Sequence, residues 1–212
     1  MTDTTDRRSR KRQATRQAIS NAATRLFWER GFDAVTIDEI AAAADVGRMT
    51  VFNHFPRKED LFFDREAEGR ELLRTTALHR EKGVSPLEAF RRLAHRLIAE
   101  QAPYVVFSAE SQAFIRTVEE SPTLKARARA IRDELAAEIA SALIDATGAQ
   151  GADPHARLAA SLLLAAWTTA FIEAHRTYQQ TQSAEAAQAQ FLHLIDRAGQ
   201  GIAVALQGTA YA

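Results

Sequence analysis

The chain has 212 residues, 46% of them hydrophobic and 25% charged, which is enough for one large buried core or two small ones. Its 27 basic and 27 acidic residues cancel, and a net charge of zero by itself argues against a nucleic-acid partner. The lack of cysteine excludes disulfides, thiolate metal sites and thiol nucleophiles. The basic N-terminus has no apolar segment behind it, as a secretory signal would, so we expect a cytoplasmic protein.

The basic residues are unevenly placed along the chain. Between Arg7 and Arg30 the only acidic residue is Glu29, so the local charge is strongly positive. The cations nearest the N-terminus are Arg7, Arg8, Arg10, Lys11 and Arg12. We predict that Met1 to about Lys11 forms a flexible basic arm, which either follows DNA phosphates into a minor groove or is only a solvated tail.

Residues 36–61 contain signals for two short helices separated by a tight turn. Thr36 with Glu39 three residues later is typical of a capping box, in which two side chains satisfy backbone donors at a helix start. Apolar residues then recur on one helical face: Ile37, Ile40, Ala41 and Ala44. Asp45 and Gly47 tolerate the left-handed backbone of a helix exit, and Val46 places an apolar side chain under the turn. This outline is that of a helix-turn-helix DNA reader.

The second helix of the pair is predicted to run from Arg48 to His54, with Pro56 ending it. Its core-facing residues are predicted to be Val51, Phe52 and Phe55. Its exposed residues are predicted to be Arg48, Met49, Thr50 and Asn53. We expect these four to contact base edges in the major groove, because Arg pairs with guanine, Asn with adenine, and Thr or Met with the thymine methyl group.

The segment from about Thr15 to Leu61 resembles the TetR (tetracycline repressor) family of bacterial transcriptional regulators. The matching residues are Ile19, Ala22, Ala23, Leu26, Phe27, Gly31, Phe32, Thr36, Ile37, Ile40, Ala41, Val46, Thr50, His54, Phe55, Lys58 and Glu59. The chain departs from the family pattern at Gly47, often Ser, at Phe52, usually Tyr, and at Met49, often Gly. Phe52 therefore removes one hydroxyl contact to phosphate.

The resemblance implies further contacts and an assembly. His54 and Lys58 stand at positions of the family motif and are expected to contact phosphate, and Thr36 at a helix N-terminus is a further candidate. The family dimerises through its last two long helices, which places two readers about 34 to 36 Å apart on successive major grooves. We expect a homodimer on double-stranded DNA with an imperfectly palindromic operator, acting as a repressor.

The chain beyond Leu61 has no strand-like alternation, so the fold is predicted to be all-α with about nine helices. Pairs of an N-cap residue and proline indicate helix starts at Ser85-Pro86, Ser121-Pro122 and Asp153-Pro154. The predicted helices cover 12–30, 36–44, 48–54, 59–82, 86–101, a broken segment 104–119, 122–147, 154–179 and 184–206. Residues 1–58 are predicted to form the DNA-binding domain and 59–212 a helical ligand-sensing and dimerisation domain.

The second domain contains aromatic and polar residues suited to a cavity for a small apolar or amphipathic effector. The candidates are Phe90, Tyr104, Phe107, Gln112, Phe114, Trp167, Phe171, His175 and Tyr178. The other interpretation is that the aromatic residues only pack the core. By analogy with the family, an effector bound here would shift the helix that follows the reader and release DNA.

Two apolar stripes near the C-terminus are candidates for a dimer interface. Their residues are Leu158, Leu162, Ala166, Thr169, Phe191, Leu194, Ile195, Ala198 and Ile202. They either complete the core of their own domain or pair with their copies across a two-fold axis. The uncharged stretch 158–172 is shorter than the ~20 residues that cross a bilayer, so a buried helix is expected and no membrane partner.

The sequence indicates no catalytic or metal site. None of the six histidines has Glu three residues before it, as carboxylate-bridged di-iron sites require. Zincin, P-loop, GxSxG and GxGxxG motifs do not occur. We expect neither enzyme activity nor a cofactor. The alternative function is a helical protein-binding adaptor without DNA readout, in which residues 36–54 only form a packed corner.

Overall fold

The structure is a computed structural model that describes residues 3–81, 83–148 and 151–212. The described residues form ten α-helices and a short 3-10 helix at Pro103–Val105. The α-helices are α1 Asp3–Arg30, α2 Ile37–Ala43, α3 Arg48–His54, α4 Lys58–Phe62, α5 Glu66–Leu78, α6 Pro86–Ala99, α7 Ala109–Glu120, α8 Pro122–Thr147, α9 Pro154–Thr181 and α10 Ala184–Ala205. The predicted all-α class is confirmed.

The predicted helix starts are confirmed where a capping residue precedes proline. Ser85 Oγ accepts a hydrogen bond from the backbone N–H of Glu88 at 3.2 Å, and α6 begins at Pro86. Asp153 Oδ1 accepts from the backbone N–H of His155 at 2.8 Å at the start of α9. These caps satisfy donors that a helix leaves unpaired in its first turn, so local sequence decides where these helices begin.

The predicted flexible arm is wrong for residues 3–11, because α1 already begins at Asp3. Met1 and Thr2 lie outside the described residues. Arg, Lys, Gln and Ala are good helix formers, and no Gly or Pro interrupts the sequence before Gly31. The cations at 7, 8, 10, 11 and 12 are all exposed on this helix. The cluster therefore belongs to a helix and not to an extended tail.

The predicted helix 59–82 is wrong as one continuous helix, because it is broken into α4 and α5. Phe63 ends α4 with φ −99° and ψ 41°, and its carbonyl accepts from the N–H of Glu66 at 2.9 Å. The ring of Phe62 packs on Phe27 and Phe32, with centroids 6.1 and 5.8 Å apart. The turn that follows leaves Phe62 in this aromatic cluster.

The contacts divide the chain into two compact units. The first contains the residues up to Glu66 together with Thr117–Arg127, and the second contains Ala67–Arg116 and Ala128–Ala212. The domain boundary that the sequence predicts after Lys58 stays a prediction. In the first unit α1 packs against α2 and α4, and α2 packs against α3. Its buried core contains Ile19, Ala23, Phe27, Phe32, Val35, Ile40, Ala41, Val51, Phe55, Leu61 and Leu124.

In the second unit α9 and α10 pack along each other, and α6 packs against both. Asp196 of α10 accepts from His95 Nε2 at 2.9 Å and from Arg91 Nη1 at 3.2 Å, which ties α6 to α10. By length and composition alone α9 is able to cross a membrane. About 33% of its apolar window is buried inside the structure, with Ala159, Leu163 and Ala170 in the core of this unit, whereas Leu158 and Ile172 are exposed.

Candidate nucleic-acid interface and aromatic site

The helix-turn-helix is built from local signals that act as predicted. Glu39 N–H donates to Thr36 Oγ1 at 3.3 Å, and Thr36 N–H donates to Glu39 Oε2 at 2.8 Å, which completes the capping box of α2. Asp45 adopts φ 53° in the turn, and Val46 N–H donates to Ala41 O at 3.0 Å. The hydrogen bonds from Thr36, with help from Arg30, lower the pKa of Glu39 to about 2. The cap therefore stays ionised and intact at neutral pH.

Helix α3 has one buried face and one exposed face. Val51 is buried within α3, and Phe55, which ends it, is 1% exposed, so both hold the helix on the core. Arg48, Met49 and Asn53 are exposed, Met49 to 69%, while Thr50 is half-buried. Met49 thus leaves an apolar side chain in water, where a thymine methyl group would cover it. Contacts of these side chains to bases stay a prediction.

Arg48 is held by an acidic residue that the sequence analysis did not single out. Its Nη1 donates to Asp38 Oδ2 at 3.0 Å and to Oδ1 at 3.2 Å. Its guanidinium carbon also lies 5.6 Å from the centroid of the Phe52 ring. Asp38 stands ten residues earlier on α2, a separation at which no sequence rule pairs two charges. Arg48 is therefore oriented before any ligand reaches it.

Arg16 of α1 supports the C-terminal end of α3. Its Nη1 donates to the backbone oxygen of His54 at 2.7 Å, and its guanidinium carbon lies 4.0 Å from the centroid of the Phe55 ring. A helix leaves its last carbonyls unpaired, and a cation placed there also interacts favourably with the helix dipole. Arg16 therefore holds the C-terminal end of α3 in place, and its position within a run of basic residues does not indicate this contact.

The three predicted phosphate ligands have different surroundings. Thr36 is engaged in its capping box. His54 is half-buried, and burial, with the nearby charges of Arg12 and Arg16, lowers its pKa, so its ring is neutral at pH 7. Lys58 Nζ donates to Phe32 O at 2.5 Å and lies 4.3 Å from the Phe32 ring centroid. Burial lowers the pKa of Lys58. Phosphate contacts by these residues stay a prediction.

A segment from the middle of the chain completes the first unit. Arg127 donates to Asp60 Oδ1 at 3.1 Å and to Glu66 Oε2 at 2.7 Å, and all three side chains are at most 20% exposed. Ser121 Oγ donates to Asp33 Oδ1 at 3.1 Å. These contacts attach α4, the start of α5 and the turn after α1 to the segment 117–127. They join residues more than sixty positions apart, so the sequence analysis missed them.

The second unit contains an aromatic site, which we define as Phe107, Gln112, Trp167, Phe171, His175 and Phe191. The Phe107 centroid lies 6.0 Å from Phe171, 5.0 Å from His175 and 6.1 Å from Phe191. Trp167 packs edge-on against Phe191 at 5.7 Å. Phe107, His175 and Phe191 are buried, whereas Trp167 and Phe171 keep exposed surface. Five of the nine predicted pocket residues are therefore brought together.

The other four predicted pocket residues lie outside this site. Tyr178 is half-buried on α9 and packs against the core of the second unit. Phe90 is 1% exposed in the core of the second unit. The hydroxyl of Tyr104 donates to Glu68 Oε2 at 3.0 Å. Phe114 is half-buried on α7. Whether any of the nine contacts a ligand stays a prediction.

Residues of the predicted dimer interface divide by burial. Phe191 and Ile195 are at most 4% exposed in the core of their own chain, where a partner surface would not reach them. Six of the others line an open groove of about 480 Å³ between α9 and α10, among them Ile202, which is only 7% exposed, whereas Leu158 is 43% exposed and is not part of the lining. The groove is lined by Leu162, Ala165, Ala166, Thr169, Leu194, Arg197, Ala198, Gly201, Ile202 and Ala205. Pairing of the stripes with their copies across a two-fold axis stays a prediction.

Comparison with known proteins gives three kinds of similarity. Residues 19–64 match the family model described as bacterial regulatory proteins, tetR family. The transcriptional regulator TcmR of Streptomyces glaucescens is 31% identical over 123 residues, 56% of this chain and 54% of that protein. The match thus spans about half the length of this curated relative.

Two solved structures share the fold over most of their length. One is assigned to the TetR regulators of Mesorhizobium loti MAFF303099, with a TM-score of 0.56 and 22% identity over 92% of this chain and 97% of that one. The other is Thermus thermophilus FadR, a TetR-family repressor in complex with lauroyl-CoA. It has a TM-score of 0.51 and 25% identity over 88% of this chain and 94% of that one.

Proposed function

From the premise that the chain belongs to the TetR family of bacterial regulatory proteins, we propose that it is a sequence-specific transcriptional repressor released from DNA by a small ligand. It acts as a cytoplasmic homodimer on an imperfectly palindromic operator. Chemistry on a substrate has no part in this function, because the protein works only by changing its affinity for DNA.

One observation carries the DNA-binding part of this proposal. The four residues that the sequence places outward on α3 are exposed or half-exposed, while Val51 and Phe55 are buried under the same short helix. A packed corner of an adaptor protein needs no arginine that Asp38 orients on the exposed face of a short helix. A reader of the major groove uses such an arginine, since Arg pairs with guanine and an apolar side chain beside it covers a thymine methyl group.

The ligand part of the proposal is supported by the aromatic site and by a relative. FadR of Thermus thermophilus was solved with lauroyl-CoA, which joins an apolar acyl chain to a polar head. The aromatic site offers apolar rings beside the polar groups of Gln112 and His175, which suits a ligand of the same mixed character. The ligand must prefer the protein conformation that does not bind DNA, and a preference of ~1.4 kcal/mol weakens operator binding about tenfold.

The homodimer is supported by the groove between α9 and α10. It is open and almost entirely apolar, with Arg197 as its one charged lining residue. Small side chains such as Ala166, Ala198 and Gly201 allow the helices of a second copy to approach closely. A two-fold dimer then presents two readers to one operator.

The experiment that tests the function is selection of bound sequences from a random duplex library, followed by titration of the best sequence in varied salt. A palindromic motif with a steep salt dependence is expected. Arg48→Ala should lose about 1–3 kcal/mol of discrimination at one base pair of each half-site. Arg25→Ala, on the exposed surface of α1, is the matched control and should keep the motif. Recovery of no motif at moderate salt, with a partner protein bound instead, would support the adaptor.

A further inference from the structure

His175 has a buried ring nitrogen that lacks a hydrogen-bond partner among the described residues. The residue is 3% exposed, and its Nε2 is the atom without a partner. The ring centroids of Phe171 and Phe107 lie 4.5 and 5.0 Å away, so its surroundings are apolar. An unpaired polar atom in such a place is unfavourable, and a ligand that supplies the missing partner would relieve this.

Gln112 decides whether Nε2 is a donor or an acceptor. The amide nitrogen of Gln112 faces the backbone oxygen of His175, with which it forms a short hydrogen bond. A carbonyl oxygen only accepts, so the facing atom must be the nitrogen of the amide and not its oxygen. The same nitrogen lies 3.2 Å from Nδ1 of His175 and has a second hydrogen to donate. Nδ1 is therefore the acceptor, and the ring proton is on Nε2.

The start of α7 holds Gln112 in this orientation. Ser111 N–H donates to Ser108 Oγ at 3.2 Å, and Ser108 N–H donates to Ser111 Oγ at 2.8 Å, which forms a reciprocal cap. Gln112 follows immediately, and its own N–H donates to Ser108 O at 3.0 Å. In the first turn of α7, backbone N–H groups and a backbone carbonyl are thus both hydrogen-bonded. The position of the amide follows from this local structure.

The ring is also uncharged at neutral pH. Burial lowers the pKa of His175 to about 4, and no charged group contributes to this shift. The nearest charged residues along α9 are Glu173 and Arg176, which pair with each other. A carboxylate brought to Nε2 would be buried without a cation, which is costly, whereas an uncharged oxygen acceptor needs only the one hydrogen bond.

We infer that His175 anchors an uncharged, carbonyl-bearing apolar ligand, such as a ketone, ester or thioester, whose oxygen accepts a hydrogen bond from Nε2–H. Phe171 and Trp167 keep exposed surface, and they contact the apolar remainder of this ligand. The inference rests on the proposed function, since it names the chemical class of the effector. Gln112 acts as a positioning residue that keeps the donor on Nε2.

The test compares alkyl phenyl ketones with alkylbenzenes of equal chain length, which differ only in the carbonyl group. Binding is followed by the fluorescence of Trp167 in a Trp28→Phe background, because the chain has only these two tryptophans. Trp28 is 53% exposed in the first unit, so its replacement leaves the aromatic site unchanged. All titrations are done without DNA.

We expect the ketone to bind about five- to tenfold more tightly than its alkylbenzene, as one net hydrogen bond provides. His175→Phe should abolish this preference, and Gln112→Leu should reduce it. His193→Phe, an exposed histidine on α10, should leave it unchanged. Because a core variant can fail to fold, ¹⁵N NMR of the wild-type imidazole gives a second readout, in which the Nε2-protonated form and its change on ketone binding are expected.

Equal affinity for ketone and alkylbenzene in the wild type would overturn the inference, as would an Nδ1-protonated ring. Absence of binding by either compound up to its solubility limit would overturn it too. Failure of the proposed function is recognised separately, because the operator selection is done without any of these compounds. If the protein selects no operator but prefers the ketone, the inference about the ligand site holds and the proposed repressor function fails.

Discussion

Asp38 of α2 accepts two hydrogen bonds from a single nitrogen of Arg48 on α3, at 3.0 and 3.2 Å. Both side chains are more than half exposed, so the pair is worth little to stability. We expect its effect to be on recognition. In the proposed DNA complex the acid would orient the arginine, and it would offset the arginine's charge towards DNA that offers no guanine at the right place.

Asp38→Asn is therefore expected to weaken sequence discrimination. Binding to a scrambled duplex should tighten by about two- to fivefold, the range for an exposed ion pair, while operator binding changes less. The free energy of unfolding should stay within about 0.5 kcal/mol of wild type. Competition between operator and scrambled duplexes measures the ratio. The control Asp45→Asn removes another exposed acid, in the turn between α2 and α3. If it has the same effect, the change in binding comes from net charge and not from the pairing with Arg48.

Arg127→Met tests the ion pairs of Arg127 in the first unit. Removal of one partner leaves Asp60 and Glu66 charged and mostly buried, and such losses cost about 3–5 kcal/mol. Denaturant unfolding should show this decrease. Arg132→Met on the same helix removes an exposed pair with Asp133, and its effect should stay within about 0.5 kcal/mol. If both variants have equally small effects, the ion pairs of Arg127 contribute nothing to the free energy of unfolding.

His175 should make stability depend on pH. Its pKa is about 4 in the folded chain and 6.5 in the unfolded one, so between these values only the unfolded chain binds the proton. The free energy of unfolding is then fully retained above pH 6.5 and falls as the pH is lowered, by up to about 3 kcal/mol at pH 4. Unfolding of wild type and His175→Phe across this range should give a steeper slope for the wild type. Parallel slopes would contradict the burial of a neutral ring.

Ala198→Glu tests the groove between α9 and α10 as the dimer interface. In the dimer a carboxylate placed there would lose its water against a mostly apolar lining, in which Arg197 is the one charged residue. The dimer dissociation constant, measured by sedimentation, should rise at least about tenfold, which corresponds to ~1.4 kcal/mol. Gln200→Glu adds the same charge at an exposed position of α10 outside the groove lining. If the groove variant stays as dimeric as this control, the second copy binds elsewhere or not at all.

Structural features that depend on contacts within four residues of sequence could be predicted. Features that depend on contacts between distant parts of the chain could not. The capping box of Thr36, the exit at Asp45 and the starts of α6 and α9 all depend on such local contacts. The pairing of Asp38 with Arg48 depends on how α2 and α3 cross, which no local pattern encodes. Gln112 and His175 lie 63 positions apart, so their hydrogen bond was equally invisible.

The two errors in helix boundaries have physical causes as well. A run of like charges near the N-terminus suggested an unstructured arm, but the helix propensity of the same residues favours α1. The residues after α4 have no Gly or Pro to announce a break. The chain turns at Phe63 because Phe62 packs into an aromatic cluster, a tertiary preference that overrides local propensity.

A helical α1 also limits how its cations meet DNA. At 100° per residue, Arg7, Arg10 and Lys11 form one row along the helix, and Arg8 and Arg12 form another about a third of a turn away. A phosphate strand follows one row at a time, so a straight α1 displaces at most about three counterions from a duplex. The loss of salt dependence on neutralising all five cations, taken per protomer of the proposed dimer, would count how many of them reach phosphate, and a count above three would mean that α1 bends or unwinds on DNA.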